Sequence, residues 1–151
     1  VVNAGRSGDT SAGGLSRLDW ILREPIDILV LELGANDGLR GLSTEALSEN
    51  LAEVIERTRG TWPEVRILLI GMEAPTNLGP EYTMQFREVF TTLASERDVD
   101  LVPFLLEGVA GVPELNQADR IHPTAAGHER IARTVWPHLE SLLDGRTGGS
   151  A

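Results

Sequence analysis

Cysteine is absent from this chain, which excludes a disulfide framework and any thiolate metal site and leaves the redox compartment unread. Basic residues are few: 13 Lys and Arg stand against 23 Asp and Glu, a formal net charge of −10. A nucleic-acid binder needs a basic face, and an anionic membrane surface attracts cations. The balance argues against both partners and leaves solubility as the plain use of the charge. No apolar run approaches the length of a membrane span. The chain opens on Val1-Val2-Asn3, with neither Met nor a signal-peptide pattern. Several signature motifs are missing as well. Residues 5–14, GRSGDTSAGG, contain no G-K-[ST] and no G-x-G-x-x-G, so they form neither a P-loop nor a dinucleotide turn. Gly5-Arg6-Ser7-Gly8-Asp9 departs from the nucleophile elbow G-x-S-x-G at its last position. No H-E-x-x-H is present.

What is present suits one domain: 151 residues, 41% hydrophobic and 24% charged. Ile26 to Leu33 (IDILVLEL) and Val65 to Ile70 (VRILLI) are nearly continuous apolar runs, the pattern of strands buried on both faces of a parallel sheet. Val99 to Phe104 predicts a shorter strand, and Val1-Val2 the stub of another. Leu15, Leu18 and Leu22 predict a helix over about 12–23 that Pro25 ends. Leu47, Leu51, Val54, Ile55 and Thr58 make one face of a second helix, N-capped by Ser43 and stopped at Gly60 and Pro63. Phe86, Val89, Phe90 and Leu93 mark a third over about 81–97. Ile131, Ala132, Val135, Leu139, Leu142 and Leu143 mark a last helix, with a kink expected at Pro137. Between these lie loops at Gly34–Gly38, Gly71–Glu81 and 105–118, the last with a helical turn expected at Leu105–Val109. Residues 1–144 are read as the domain and 145–151 as a disordered tail. Strands alternating with helices imply right-handed crossovers and a three-layer α/β/α sandwich, with chemistry at the carboxyl ends of the strands.

Three segments carry candidate chemistry. Asp119 and His122 lie three residues apart in a turn before the last helix. A carboxylate there fixes the tautomer of an imidazole at Nδ1 and leaves Nε2 to take a proton. The same residues also suit a helix cap, with Pro123 at the first helical position. A metal site from Asp119, His122 and His128 is a third reading, lacking a further ligand. Asn36, in Gly34-Ala35-Asn36-Asp37-Gly38, offers an amide N–H to a developing oxyanion or simply builds a turn. Gly8 offers a backbone N–H that a substrate can approach closely, or again a turn. A base, its orienter and oxyanion donors suit attack on an ester. They lack a nucleophile.

The segments VVNAGRSGDTSAGGLSRL, ELGANDGLRG and DRIHPTAAGH, in that order, resemble the SGNH (GDSL-type) hydrolases, in the branch of arylesterases and bacterial thioesterase I/lysophospholipases. The resemblance covers nearly the whole chain. It implies that Gly8 and Asn36 form the oxyanion hole, that Asp119 and His122 complete the catalytic triad, and that the Gly71–Gly79 loop, with Glu73, Pro75 and Asn77, lies on the substrate side. It further implies a flavodoxin-like parallel sheet, no cofactor or metal, a small-molecule ester substrate, and a bacterial periplasmic or secreted setting. The family's G-D-S-[LI] block, which bears the nucleophilic serine, has no counterpart here. Gly8-Asp9-Thr10-Ser11 imitates it, but S-G-D-T is the family's second block, and only one helix separates Thr10 from Asn36. Ser7, Ser11 and Ser16 are therefore expected to be turn or helix residues. The chain is expected to be truncated on its N-terminal side, with the first, central strand missing and one sheet edge exposed. Two alternatives remain at this point: a non-catalytic domain that cradles a small anion on residues 5–14, and a carbohydrate O-deacetylase on the same scaffold. Oligomeric state is unread.

Overall fold

The computed structural model describes residues 1–145; most of the tail expected at 145–151 lies outside the described residues. Strands β1 (Ile28–Leu31), β2 (Arg66–Ile70) and β3 (Asp100–Val102) form a parallel sheet in the order β1-β2-β3. Ile28 pairs with Arg66 and Leu68 with Asp100. Because successive strand residues face opposite sides, the near-complete burial of Ile67, Leu68, Leu69 and Ile70 means that both faces of β2 are covered. β1 is different. It is an edge strand, and Val30 is 43% exposed. The apolar run matches a buried strand, yet among the described residues nothing pairs with its outer edge.

The crossover helices form where the apolar period places them. Helix α4 (Thr44–Thr61) begins at Ser43, whose Oγ accepts from Ala46 N at 3.1 Å. Its buried face is Leu47, Leu51, Val54, Ile55 and Thr58. Each apolar member contributes about 1.5–3 kcal/mol by burial. Helix α5 (Pro80–Arg97) starts with proline in its first turn and buries Phe86, Val89, Phe90, Leu93 and Ala94. It packs on α4, β2 and β3. Helix α6 (Ala125–Leu143) packs on β2 and β3 and completes the second cover of the sheet. The fold is the α/β/α sandwich.

Several local expectations are corrected. Residues 12–23 are not one helix but two short ones, α1 (Ser11–Ser16) and α2 (Leu18–Ile21), broken at Arg17, whose φ of −110° and ψ of 7° leave the helical region. Val1 and Val2 form no strand; they are fully exposed, and no described strand pairs with them. Gly34–Gly38 is not a simple loop: Ala35–Leu39 is a short helix, α3. Leu105–Val109 makes turns without a helix, and a 3-10 turn at Pro113–Leu115 was not anticipated. Thr124, not the residue before Pro123, caps α6, so Pro123 precedes the helix instead of opening it. That helix continues through Pro137, and Ala132 and Leu143 stay exposed off its buried face.

Candidate active site

The Asp119–His122 turn is tied to the end of β3 through the segment that follows it. Gly71 N donates to Val102 O at 2.7 Å and Leu105 N to Gly71 O at 2.9 Å, so the chain leaving β3 is stitched to the chain leaving β2. Thr124 N donates to Leu115 O at 2.9 Å, and Asn116 bridges Pro123. Asn116 is buried, and its amide donates to Val109 O and Val112 O. At the other side of the sheet, Glu32 follows β1. Burial raises its pKa, and the nearby His128 in the first turn of α6 pulls it back. The start of α6 thus lies within electrostatic reach of the end of β1.

Within the turn, Asp119 performs two tasks with its two oxygens. Oδ1 accepts from Ile121 N and His122 N, both at 3.0 Å, and so holds the loop. Oδ2 meets His122 Nδ1 at 2.7 Å. Gln117 N donates to His122 O and Arg120 N to Gln117 O, each at 2.8 Å. These bonds hold Arg120 at φ 59°, a conformation that side chains other than glycine resist. The imidazole side chain keeps 66% of its exposure. With Nδ1–H donating to the carboxylate, Nε2 is the unprotonated nitrogen and is available as a base. The His122 hydrogen bond, first, and the two backbone N–H groups, second, lower the Asp119 pKa to about 2. The carboxylate is therefore charged at any pH at which the imidazole works.

Asn36 lies in the first turn of α3. Gly34 adopts φ 113°, which turns the chain sharply from β1 into that helix, and Gly38 N closes the first turn on Gly34 O at 2.9 Å. The Asn36 amide donates to Asp9 O at 2.9 Å. That bond uses one of its two hydrogens and orients the other. Asp9 belongs to the same tight turn as Gly8: Asp9 N donates to Arg6 O at 3.3 Å, and Gly8, with φ 81°, occupies the third position. The Gly8 segment and the Asn36 helix are thereby joined.

Ser11 and Ser16 are engaged in internal hydrogen bonds. Ser11 is fully buried; its Oγ donates to Asp37 Oδ1 at 2.6 Å, and its N–H donates to Asp37 Oδ2 at 2.8 Å. Asn50 donates to the same hydroxyl at 3.0 Å. Ser16 Oγ donates to Gly13 O at 2.7 Å. Ser7 lies exposed in the Gly8 turn. In the middle of residues 5–14, Asp9 takes Arg17 Nε at 2.7 Å and approaches Arg6 at 4.0 Å. That carboxylate opposes an anion there. Among the described residues, no group of three His, Cys, Asp or Glu side chains gathers, so Asp119, His122 and His128 do not converge into a ligand cage. In the loop after β2, Glu73 pairs with Arg87 at 2.8 Å, Pro75 precedes a 3-10 turn at Thr76–Leu78, and Asn77 is exposed within it. Sequence reasoning missed Arg17, Arg40 and Asn50, whose partners are distant in the chain and follow no local spacing.

Residues 1–130 match the model of the GDSL-like lipase/acylhydrolase family. Esterase TesA of Pseudomonas aeruginosa is 47% identical over 144 residues, which are 95% of this chain and 71% of that protein. Thioesterase 1/protease 1/lysophospholipase L1 of Escherichia coli K12 is 38% identical over 146 residues, 95% of this chain and 69% of that one. A crystal structure of TesA superposes with a TM-score of 0.89 at 46% identity, covering 94% of this chain and 78% of the other. A parallel sheet in an α/β/α sandwich and this degree of likeness lead to one assignment: the chain belongs to the GDSL-like lipase/acylhydrolase family, the SGNH hydrolases.

Proposed function

We propose that this domain hydrolyses carboxylic esters through an acyl-enzyme, with a serine nucleophile supplied from outside residues 1–151. The observation that carries this reading is the Asp119–His122 pair, whose 2.7 Å contact at Nδ1 directs a basic Nε2 away from the carboxylate. In the proposed reaction the serine Oγ attacks the carbonyl carbon while its proton passes to His122 Nε2. The carbonyl oxygen gains the negative charge and takes hydrogen bonds from Gly8 N–H and the Asn36 amide. Collapse expels the leaving group, which recovers the proton from the imidazole. Water then repeats the sequence on the acyl-enzyme and releases the acid. Asp119 stabilises the imidazolium formed in each half. No metal or organic cofactor takes part in these steps.

The relatives' names suggest aryl esters, acyl thioesters or lysophospholipids as the substrate range. Leu39, Leu42 and Leu78 support an apolar acyl or alcohol group. All three are exposed, they lie around α3 and the loop bearing Glu73, Pro75 and Asn77, and Leu78 is a neighbour of Gly41. The test uses the full-length protein and a fluorophosphonate, which phosphonylates an activated serine. Labelling at a serine outside residues 1–151, abolished in His122→Ala together with turnover of p-nitrophenyl acetate, is the expected result. Labelling at Ser7, Ser11 or Ser16, or hydrolysis by His122→Ala at the parent rate, overturns the reading.

A further inference from the structure

Arg40, at the C-terminal end of α3, donates from Nη2 to Gly8 O at 3.0 Å. No motif marks this residue, and the ester-hydrolysis scheme above does not use it. Its contact falls on the turn that carries the Gly8 N–H. Ser7 and Gly8 are exposed, and Gly8 has no side chain to dock. The Gly8 N–H donates to no acceptor among the described residues, which leaves it free for a ligand and leaves the turn without that anchor. From behind, Arg17 grips the turn's entry and exit by bonding Ala4 O at 2.8 Å and Asp9 at 2.7 Å. On the side facing α3, the turn is held by two bonds only: Asn36 to Asp9 O at 2.9 Å and Arg40 to Gly8 O at 3.0 Å. The two donors sit four residues apart on one short helix and bond two consecutive carbonyls.

We propose that Arg40 is a positioning residue for the oxyanion hole, latching the Gly8 turn to α3 so that the Gly8 N–H and the Asn36 amide converge on one point. This rests on the hydrolase reading above. Two donors stabilise an oxyanion only while their separation is fixed within roughly half an ångström. Without Arg40, Asn36 must both hold the turn and serve the substrate, and the separation loosens. The residue touches no reacting atom, so its loss should lower the rate of the chemical step and leave ground-state binding nearly intact.

The experiment compares Arg40→Met, Arg40→Lys and the parent in the full-length enzyme, with His122→Ala and Asn36→Ala run beside them. Hydrolysis of p-nitrophenyl acetate, the rate of phosphonylation and the thermal midpoint are measured for each. Arg40→Met should lower kcat and the phosphonylation rate together, by roughly three- to tenfold, the net worth of one ordinary hydrogen bond, because the site is exposed. KM should stay within about twofold, with the thermal midpoint unmoved. Arg40→Lys, which keeps the charge and one donor, should recover part of the loss. Unchanged kcat in Arg40→Met overturns the latch, as does a loss that tracks a lowered midpoint or one that lysine leaves unrepaired. If His122→Ala and Asn36→Ala also retain the parent rate, the hydrolase reading itself fails; if they lose it while Arg40→Met does not, only the latch fails.

Discussion

Replacing Asp37 tests whether the loop that carries Asn36 is held by a buried polar junction. Asp37 is 3% exposed and Ser11 is 0% exposed. The carboxylate accepts the Ser11 N–H at 2.8 Å and the Ser11 hydroxyl at 2.6 Å, and the hydroxyl accepts from Asn50 at 3.0 Å. Three elements, α1, α3 and α4, meet at this point. Asp37→Ala leaves a buried backbone donor and a buried hydroxyl without their acceptor. Each of the two orphaned groups costs about 1–3 kcal/mol, so a loss of about 2–6 kcal/mol is expected. Asp37→Asn keeps one carbonyl oxygen and places an NH2 group against the other donor. If the Ser11 hydroxyl turns to accept from both amides, its own hydrogen has no acceptor. One charge-assisted bond is lost, about 1.5–3 kcal/mol. Urea denaturation of the full-length protein measures both, and rates corrected for the folded fraction measure the site. The stability loss in Asp37→Asn should exceed its loss of intrinsic rate. The double variant Asp37→Ala with Ser11→Ala should be less destabilised than the sum of the single changes, because the serine donor that needs an acceptor is gone. An Asp37→Ala variant within about 1 kcal/mol of the parent refutes the junction, since that is less than one orphaned group costs.

The legible parts of the fold were those set by short-range periodicity. The runs at 26–33 and 65–70 read as strands because nearly every residue is apolar, and the 47-51-54-55-58 spacing read as one helical face because nothing within α4 competes with it. Misreadings fell where local chemistry is ambiguous. Gly, Asn and Asp favour turns, yet Ala35–Leu39 closes into a helix after the left-handed Gly34, which packs against Leu47 and Phe90. Leu15, Leu18 and Leu22 keep helical spacing across the break at Arg17, whose side chain is drawn to Asp9 and Ala4 O. The run at 26–33 shows burial potential and not which strand lies alongside; the open edge at β1 was expected from the family resemblance instead. The contact between Asp119 and His122 was legible because both partners lie within one turn. The Ser11–Asp37–Asn50 junction and the Arg40 contact join residues far apart in the chain, and only folding brings them together.

The proposed oxyanion and base groups yield two further expectations. Asn36→Ala in the full-length enzyme removes one donor, worth about 2.7–4 kcal/mol in the transition state, so kcat for an ester should fall roughly 10²–10³-fold. KM should change little, and a large rise in KM with kcat intact would make Asn36 a ground-state binder. The last expectation concerns Asp119. Its pKa of about 2 is lower in the folded chain than in the unfolded one, so the turn's contribution is present above the ordinary carboxylate pKa and is lost as pH falls toward about 2. A carboxyl 13C titration should therefore place the Asp119 midpoint near 2. In His122→Ala the largest cause of the shift, the imidazole hydrogen bond, is gone, while Ile121 N and the backbone N of residue 122 still donate. The midpoint should then rise but remain below the ordinary value of 3.8. A midpoint that does not move on removing the imidazole means that the backbone alone holds the carboxylate, and Asp119 then shapes the loop without orienting His122.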